Sequence, residues 1–267
     1  MKPGEVRILV LRSAGTNCDA ETASAIAELG ACAEVVHVNR FIRGRRSLEE
    51  FHGMVLPGGF SYGDRIRSGA VLAKLLSHRL RRELQRFVDE GRPILGICNG
   101  FQVLVESGLL PFGEVGQVKL ALAKNASARF EARWVYLLKC SATPFTGKLP
   151  RVSRMPVANA EGRVVFPPGE EQSLLEELEE SSQIVLRYCT REGEPARGEY
   201  PANPCGSFAD IAGLASPEGT ILGMMPHPER AFYRYMYPDW TRDSALGMGD
   251  GCAIFEGMLE HILKSQG

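Results

Sequence analysis

Two short stretches of this chain hold the residue types that covalent amide chemistry requires. The first is Gly96-Ile97-Cys98-Asn99-Gly100-Phe101-Gln102. It follows a short apolar strand, Pro93 to Leu95, and runs into a helical pattern, Phe101 to Glu106. A Cys with Gly two residues to either side, at a strand-to-helix turn, is the thiol form of the G-x-S-x-G nucleophile elbow. Such a turn strains the nucleophile's backbone and brings its neighbours too close to sheet and helix for side chains. The sulfur is then held above a sheet, with a helix N-terminus favouring the thiolate. On the heptapeptide alone, a buried structural Cys accounts for the pattern equally well.

The second stretch is Met225-Pro226-His227-Pro228-Glu229-Arg230, directly after an apolar strand, Thr220 to Met224. Of the five His, His37, His52, His78 and His261 fall in strand, turn or helix contexts without an evident partner. His227 stands between two prolines, which restrict the backbone and exclude a helix there. An extended His-Pro-Glu puts the side chains at i and i+2 on one side, so Glu229 is placed to hold the imidazole. Cys98, His227 and Glu229 thus offer a nucleophile, a base and a carboxylate that orients the base. A proline-bounded His in a surface loop is the plainer alternative. Acyl transfer also needs donors for an oxyanion. The Asn99 N–H is one candidate, and the turn Pro57-Gly58-Gly59 offers another through close backbone approach. Gln102, one helical turn after Cys98, faces the same way and is placed to hold a polar substrate group.

The elements that must position these residues read as α/β. Val6 to Leu11, Cys32 to Val38, Met54 to Leu56 and Pro93 to Leu95 are apolar strands. Between them lie helical patterns at Ala20 to Leu29 (Asp19 as N-cap, Gly30 as stop), Ala70 to Leu76 and Leu80 to Glu90. Apolar strands alternating with helices predict parallel units covered on both faces, with the site at the strands' carboxyl ends. Beyond Leu110 the strands Arg129 to Cys140, Arg151 to Val157, Arg163 to Phe166 and Gln183 to Tyr188 lack long helices between them, which predicts an antiparallel excursion from the main sheet. Glu170 to Glu180 reads as a solvated helix, and 191–207 as a long loop. Strands return at Ile211 to Leu214 and Thr220 to Met225. After the aromatic, Gly-rich 233–251, a helix near Cys252 to Lys264 closes the chain. With no internal repeat and no linker, one domain over 1–267 is expected.

Composition narrows the function classes. At 267 residues and 44% hydrophobic the chain buries a full core. A net charge of −1 gives no field to recruit nucleic acid or an acidic membrane. Seven Cys without C-x-x-C or Cys/His spacing indicate neither a disulfide framework nor a metal site, and a reducing compartment is the simpler expectation. No signal peptide and no spanning run is evident, so a cytoplasmic location is expected.

These residues resemble class I (triad-type) glutamine amidotransferases, which carry a G-x-C-x-G-x-Q elbow and a later His-x-Glu. The blocks Gly15-Thr16-Asn17-Cys18-Asp19, Pro57 to Asp64, Gly96 to Gln102, Arg129-Phe130-Glu131 with Arg133-Trp134-Val135, and Gly223 to Arg230 occur in one order. Together they are similar to the glutaminase subunits of phosphoribosylformylglycinamidine synthase over nearly the whole chain. The resemblance implies a flavodoxin-like sandwich with a central, mostly parallel sheet. It implies Cys98 as nucleophile, His227 as base and Glu229 as its orienter, with Gly59 and Asn99 as the oxyanion hole. It implies that Gln102, Gly58, Arg129 and Phe130 contact the substrate, glutamine. It further implies a synthase partner that uses ammonia from glutamine to convert formylglycinamide ribonucleotide to the amidine, and a small bridging subunit. The chain shows no G-x-x-x-x-G-K-S/T and no G-x-G-x-x-G. No cofactor is therefore expected here, and ATP and magnesium are expected on the partner.

The chain departs from the pattern at Ala14, where the family commonly has Pro, and at Asn159, where its Ala-His-Gly-Glu-Gly has His. It is also longer, with the excess in 191–207 and 233–251. Two other classes stay open at this stage: a cysteine hydrolase acting on a different amide, and a non-catalytic module that regulates a synthase.

Overall fold

A computed structural model describes residues 1–242 and 247–265. The strands are β1 (Arg7–Arg12), β2 (Cys32–His37), β3 (Gly53–Leu56), β4 (Ile94–Ile97), β5 (Ala121–Lys124), β6 (Glu131–Lys139), β7 (Val152–Asn159), β8 (Glu161–Val165), β9 (Ile184–Cys189), β10 (Ile211–Ala215) and β11 (Ile221–Met224). The helices are α1 (Asp19–Glu28), α2 (Val38–Ile42), α3 (Ala70–Arg79), α4 (Arg81–Asp89), α5 (Asn99–Glu106), α6 (Glu171–Glu180) and α7 (Cys252–Ser265). The segment 233–251 carries short 3-10 turns at Arg234–Met236 and Trp240–Arg242. Its residues 243–246 lie outside the described set.

Nine strands form one sheet in the order β2-β1-β3-β4-β11-β10-β9-β6-β7. The first five run parallel, and from β11 onward each neighbour is antiparallel. The antiparallel excursion therefore extends the main sheet in its own plane, with β5 and β8 making a separate two-stranded sheet. β3, β4 and β11 are buried at every position. That is what a parallel strand covered on both faces requires, and it is why their sequences read as unbroken apolar runs. α1 packs on β1 and β2 and touches α7, while α5 packs on β3, β4 and β11 and touches α3.

Three local expectations need correction. Asp19 is the first residue of α1 and Cys18 occupies the cap. The Asp19 carboxylate turns to Arg12 instead, with Nε and Oδ2 3.3 Å apart. α5 begins at Asn99, immediately after the elbow, rather than at Phe101. β5 and α2 are too short, at four and five residues, for periodicity to reveal.

Candidate active site

The decisive geometry comes from three neighbouring parallel strands. In register, Leu56 of β3 pairs with Gly96 of β4, and Ile97 of β4 pairs with Met224 of β11. The residues just past their carboxyl ends are Pro57-Gly58-Gly59, Cys98 and Met225-Pro226-His227, so all three emerge on one edge of the sheet. The Cys98 N–H donates to the Met224 carbonyl at 2.8 Å, tying elbow to strand.

Cys98 has φ 50° and ψ −104°, a conformation that costs a non-Gly residue of order 1–3 kcal/mol. Its surroundings enforce it. A Cβ on Gly96 would lie 2.7 Å from the Gly100 carbonyl oxygen, and one on Gly100 would overlap the Leu56 carbonyl. The glycines at minus two and plus two are thus the condition for helix, elbow and sheet to meet. The buried Cys98 thiol donates to the Ala158 carbonyl at 3.6 Å.

His227 is also buried, and its N–H donates to the Pro156 carbonyl at 2.8 Å. Glu229 reaches Nδ1 with Oε1 at 2.5 Å. It does so by a route the two prolines were expected to forbid: Pro228–Ala231 is a single 3-10 turn rather than extended chain. Pro228 occupies its first position, where a missing N–H and a fixed φ are tolerated. With Nδ1 committed to Glu229, Nε2 is the nitrogen left for proton transfer, and it makes no hydrogen bond to any described residue. Burial opposes the imidazolium. Glu229, and then Cys98 and Cys18, overcome it and hold the His227 pKa well above its usual value.

Two backbones offer candidate donors for an oxyanion. Gly59 has φ 145° and faces Thr16 in an antiparallel bridge. That bridge is closed by flanking bonds, Phe60 N–H to the Gly15 carbonyl and Asn17 N–H to the Gly58 carbonyl, which direct the Gly59 N–H away from it. Asn99 opens α5, where an N–H has no intrahelical partner. Gly58 has a different part. A Cβ there would stand 2.7 Å from His227 Cε1, so its bareness makes room for the imidazole.

The Gln102 side chain is buried and bonded at both ends. Its Oε1 accepts from Asn99 Nδ2 at 2.9 Å, and its Nε2 donates to the Glu161 carbonyl at 2.5 Å. Asn99 Oδ1 accepts from the Ser61 N–H, and Glu161 Oε2 from the Ser68 N–H. Gln102 therefore stitches the elbow helix to the 61–68 loop and to the start of β8. Arg129 and Phe130 are exposed and precede Glu131, the register partner of Asn159. Asn159 itself points inward, where its Oδ1 accepts from the buried Cys205 thiol at 3.4 Å. Sequence reasoning missed Ser61, Asp64, Glu161, Cys18 and Arg230 as parts of this neighbourhood. Cys18 lies within the Gly-Thr-Asn-Cys-Asp block, Ser61 and Asp64 follow Pro-Gly-Gly, Arg230 follows His-Pro-Glu, and Glu161 stands two residues after Asn159, but none of these blocks showed what its members touch.

Residues 5–262 match the model of the CobB/CobQ-like glutamine amidotransferase domain. A phosphoribosylformylglycinamidine synthase subunit PurQ from Archaeoglobus fulgidus is 44% identical over 97% of this chain and 98% of its own length. The chain belongs to the PurQ family of glutamine amidotransferases. A PurQ of Dehalococcoides mccartyi is 40% identical over 96% of this chain and 97% of its own length. Among solved structures, a chain of PurLQS from Thermotoga maritima matches with a TM-score of 0.72 and 31% identity, covering 96% of this chain and 99% of that one. PurQ membership makes the chain an enzyme, a glutamine amidotransferase, rather than a cysteine hydrolase of related fold acting on another amide or a non-catalytic module. Among the described residues, no helix is long and apolar enough to cross a membrane.

Proposed function

We propose that the chain is the glutaminase subunit of phosphoribosylformylglycinamidine synthase, one catalytic unit from end to end, with Cys98, His227 and Glu229 as its triad. The observation that carries this reading is the shared sheet edge on which the elbow, the His-Pro-Glu turn and the Gly58-Gly59 turn converge. Cys98 gives its thiol proton to His227 Nε2 as its sulfur attacks the side-chain amide carbon of glutamine, and the C=O electrons move onto the oxygen. The N–H groups of Asn99 and Gly59 receive that oxyanion. As the tetrahedral intermediate collapses, the C–N bond breaks and the His227 imidazolium gives its Nε2 proton to the leaving nitrogen, releasing ammonia and leaving a thioester on Cys98. Water, losing a proton to His227, then attacks the thioester; the C–S bond breaks, glutamate leaves, and His227 returns the proton to the Cys98 sulfur. Glu229 keeps the Nδ1 proton in place throughout and favours the imidazolium.

Ammonia passes to a synthase subunit that makes the ribonucleotide amidine. We place ATP and magnesium on that subunit, and a small bridging subunit beside it. The named PurLQS structure and the curated PurQ relatives support this assembly. Arg129 and Phe130, exposed just before β6, are assigned to the rim over which glutamine enters. The test is glutamate release from glutamine with and without the synthase subunit and ATP. Turnover that rises with the partner and vanishes in Cys98→Ala supports the reading. Full turnover by Cys98→Ala contradicts it.

A further inference from the structure

A second thiol lies against the same imidazole. Cys18 ends the loop after β1, and its N–H donates to the Gly58 carbonyl at 3.2 Å. Its buried sulfur donates to Asn17 Oδ1 at 3.2 Å and accepts from Arg230 Nη2 at 3.1 Å. Arg230 is held from its other side by Glu21 of α1, whose Oε1 accepts from Nε at 2.9 Å. Cys18 and His227 crowd one spot above Gly58. A Cβ there would meet His227 Cε1 at 2.7 Å and Cys18 Sγ at 3.1 Å. A chain of contacts therefore runs from Glu21 through Arg230 and Cys18 to His227 and Glu229.

Cys18, His227 and Glu229 bring a thiol, an imidazole and a carboxylate within 4.8 Å of one another, a donor set zinc uses. Arg230 decides against that reading. Its guanidinium already sets a positive charge on the sulfur where a metal would sit, so Cys18 meets His227 as a packing contact and Arg230 as a hydrogen-bond acceptor.

We propose that Cys18 is a positioning residue for His227: its sulfur packs the imidazole into the orientation Glu229 sets and stands between it and the Arg230 guanidinium. The inference deepens the triad reading above and rests on it. An imidazolium and a guanidinium are like charges, and in a buried site their repulsion is weakly screened. A polarizable sulfur that accepts from the guanidinium draws off part of that charge. The groups acting on the ring are Glu229 from its own turn, Cys98 from the elbow and Cys18 from the loop before α1. Arg230 acts on Cys18 and also approaches the Glu229 oxygen that holds Nδ1, at 3.8 Å, with Glu21 behind it. From β7 the Pro156 carbonyl accepts from the His227 backbone N–H and anchors the turn that carries the ring. Cys18 contributes to the raised pKa of His227, and His227 in turn opposes the burial that pushes the Cys18 thiol up.

The test measures kcat and KM for glutamine against pH in the complex with the synthase subunit, for Cys18→Ala, Cys18→Ser and Cys18→Ala/Arg230→Gln. Cys18→Ala is expected to lower kcat about tenfold with KM within about twofold, and to move the basic limb of the profile down by about one pH unit. Cys18→Ser, which still accepts from Arg230, returns kcat to within about threefold of the parent. Removing Arg230 as well returns the basic limb toward its parental position. An unmoved basic limb in Cys18→Ala overturns the proposal, as does a lower kcat that serine fails to rescue. Imidazole nitrogen NMR of His227 in the parent chain and in Cys18→Ser and Arg230→Gln gives an arm independent of turnover and of the alanine variant. Its midpoint is expected to fall slightly with serine and to rise with glutamine. Identical midpoints in all three contradict the positioning role even if the glutaminase reading stands, and shifted midpoints support it even if that reading fails.

Discussion

Ile97 and Met224 are register partners on neighbouring parallel strands, and this pairing sets Cys98 beside the turn that carries His227. Cys98 comes one residue after Ile97 and His227 three residues after Met224, so the spacing between them is fixed by the sheet ladder rather than by a flexible loop. The Cys98 N–H bond to the Met224 carbonyl locks the two strand ends together at the elbow.

The first consequence concerns Gly100. An added Cβ overlaps the Leu56 carbonyl of β3, a backbone atom that cannot rotate away. Gly100→Ala is expected to destabilise the chain by about 3 kcal/mol. It should also remove glutamine hydrolysis, because α5 must lift off the sheet and take the elbow with it. Urea midpoints and turnover measured on one preparation check both.

Strain at Cys98 gives the opposite sign. Cys98→Gly relaxes a φ of 50° and is expected to raise stability by about 1 kcal/mol while abolishing turnover. A thermal unfolding midpoint below that of the parent would count against a strained elbow.

Glu229 raises the His227 pKa, so Glu229→Gln should move the basic limb of kcat to lower pH. We expect kcat to fall by roughly ten- to a hundredfold, less than in His227→Asn. The sign for stability follows from linkage. His227 binds its proton more tightly folded than unfolded, so its contribution is complete below about pH 6.5 and is lost as pH rises through the higher folded value. In Glu229→Gln the fall in stability across that window should be shallower, as urea titrations at stepped pH will show.

Gln102 bridges Asn99 and the Glu161 carbonyl, both buried or nearly so. Gln102→Leu leaves those groups unpaired, and we expect a loss of about 1–3 kcal/mol. Because the 61–68 loop hangs on the same network, KM for glutamine should rise as well. A variant with parental KM and stability would contradict the stitching role.

The parallel half of the fold was legible because β1, β3, β4 and β11 are buried on both faces and so read as apolar runs ended by Gly, Pro or polar turns. The elbow was legible because Gly96 and Gly100 are required by close backbone contact, which leaves its trace in sequence. The pairing of β4 with β11 was not, since strands distant in sequence carry no mark of their neighbour. The plane of the antiparallel strands was hidden for the same reason. Pro228 was misjudged because proline breaks a helix interior but suits the first position of a turn. Cys18 and Arg230 escaped notice because each gains meaning only from contact with the other.

The central claim is that Cys98 is the thiol that attacks glutamine. The most direct measurement is peptide mass spectrometry of the chain with its synthase partner after treatment with a glutamine-analogue electrophile such as a diazoketone. Covalent adduct is expected on Cys98, prevented by excess glutamine and nearly absent in His227→Asn. Cys189, Cys205 and Cys252, whose thiols burial pushes up to about 11, about 12 and about 11, should stay unmodified. Adduct on another cysteine, or labelling of Cys98 that glutamine does not prevent, would contradict the account.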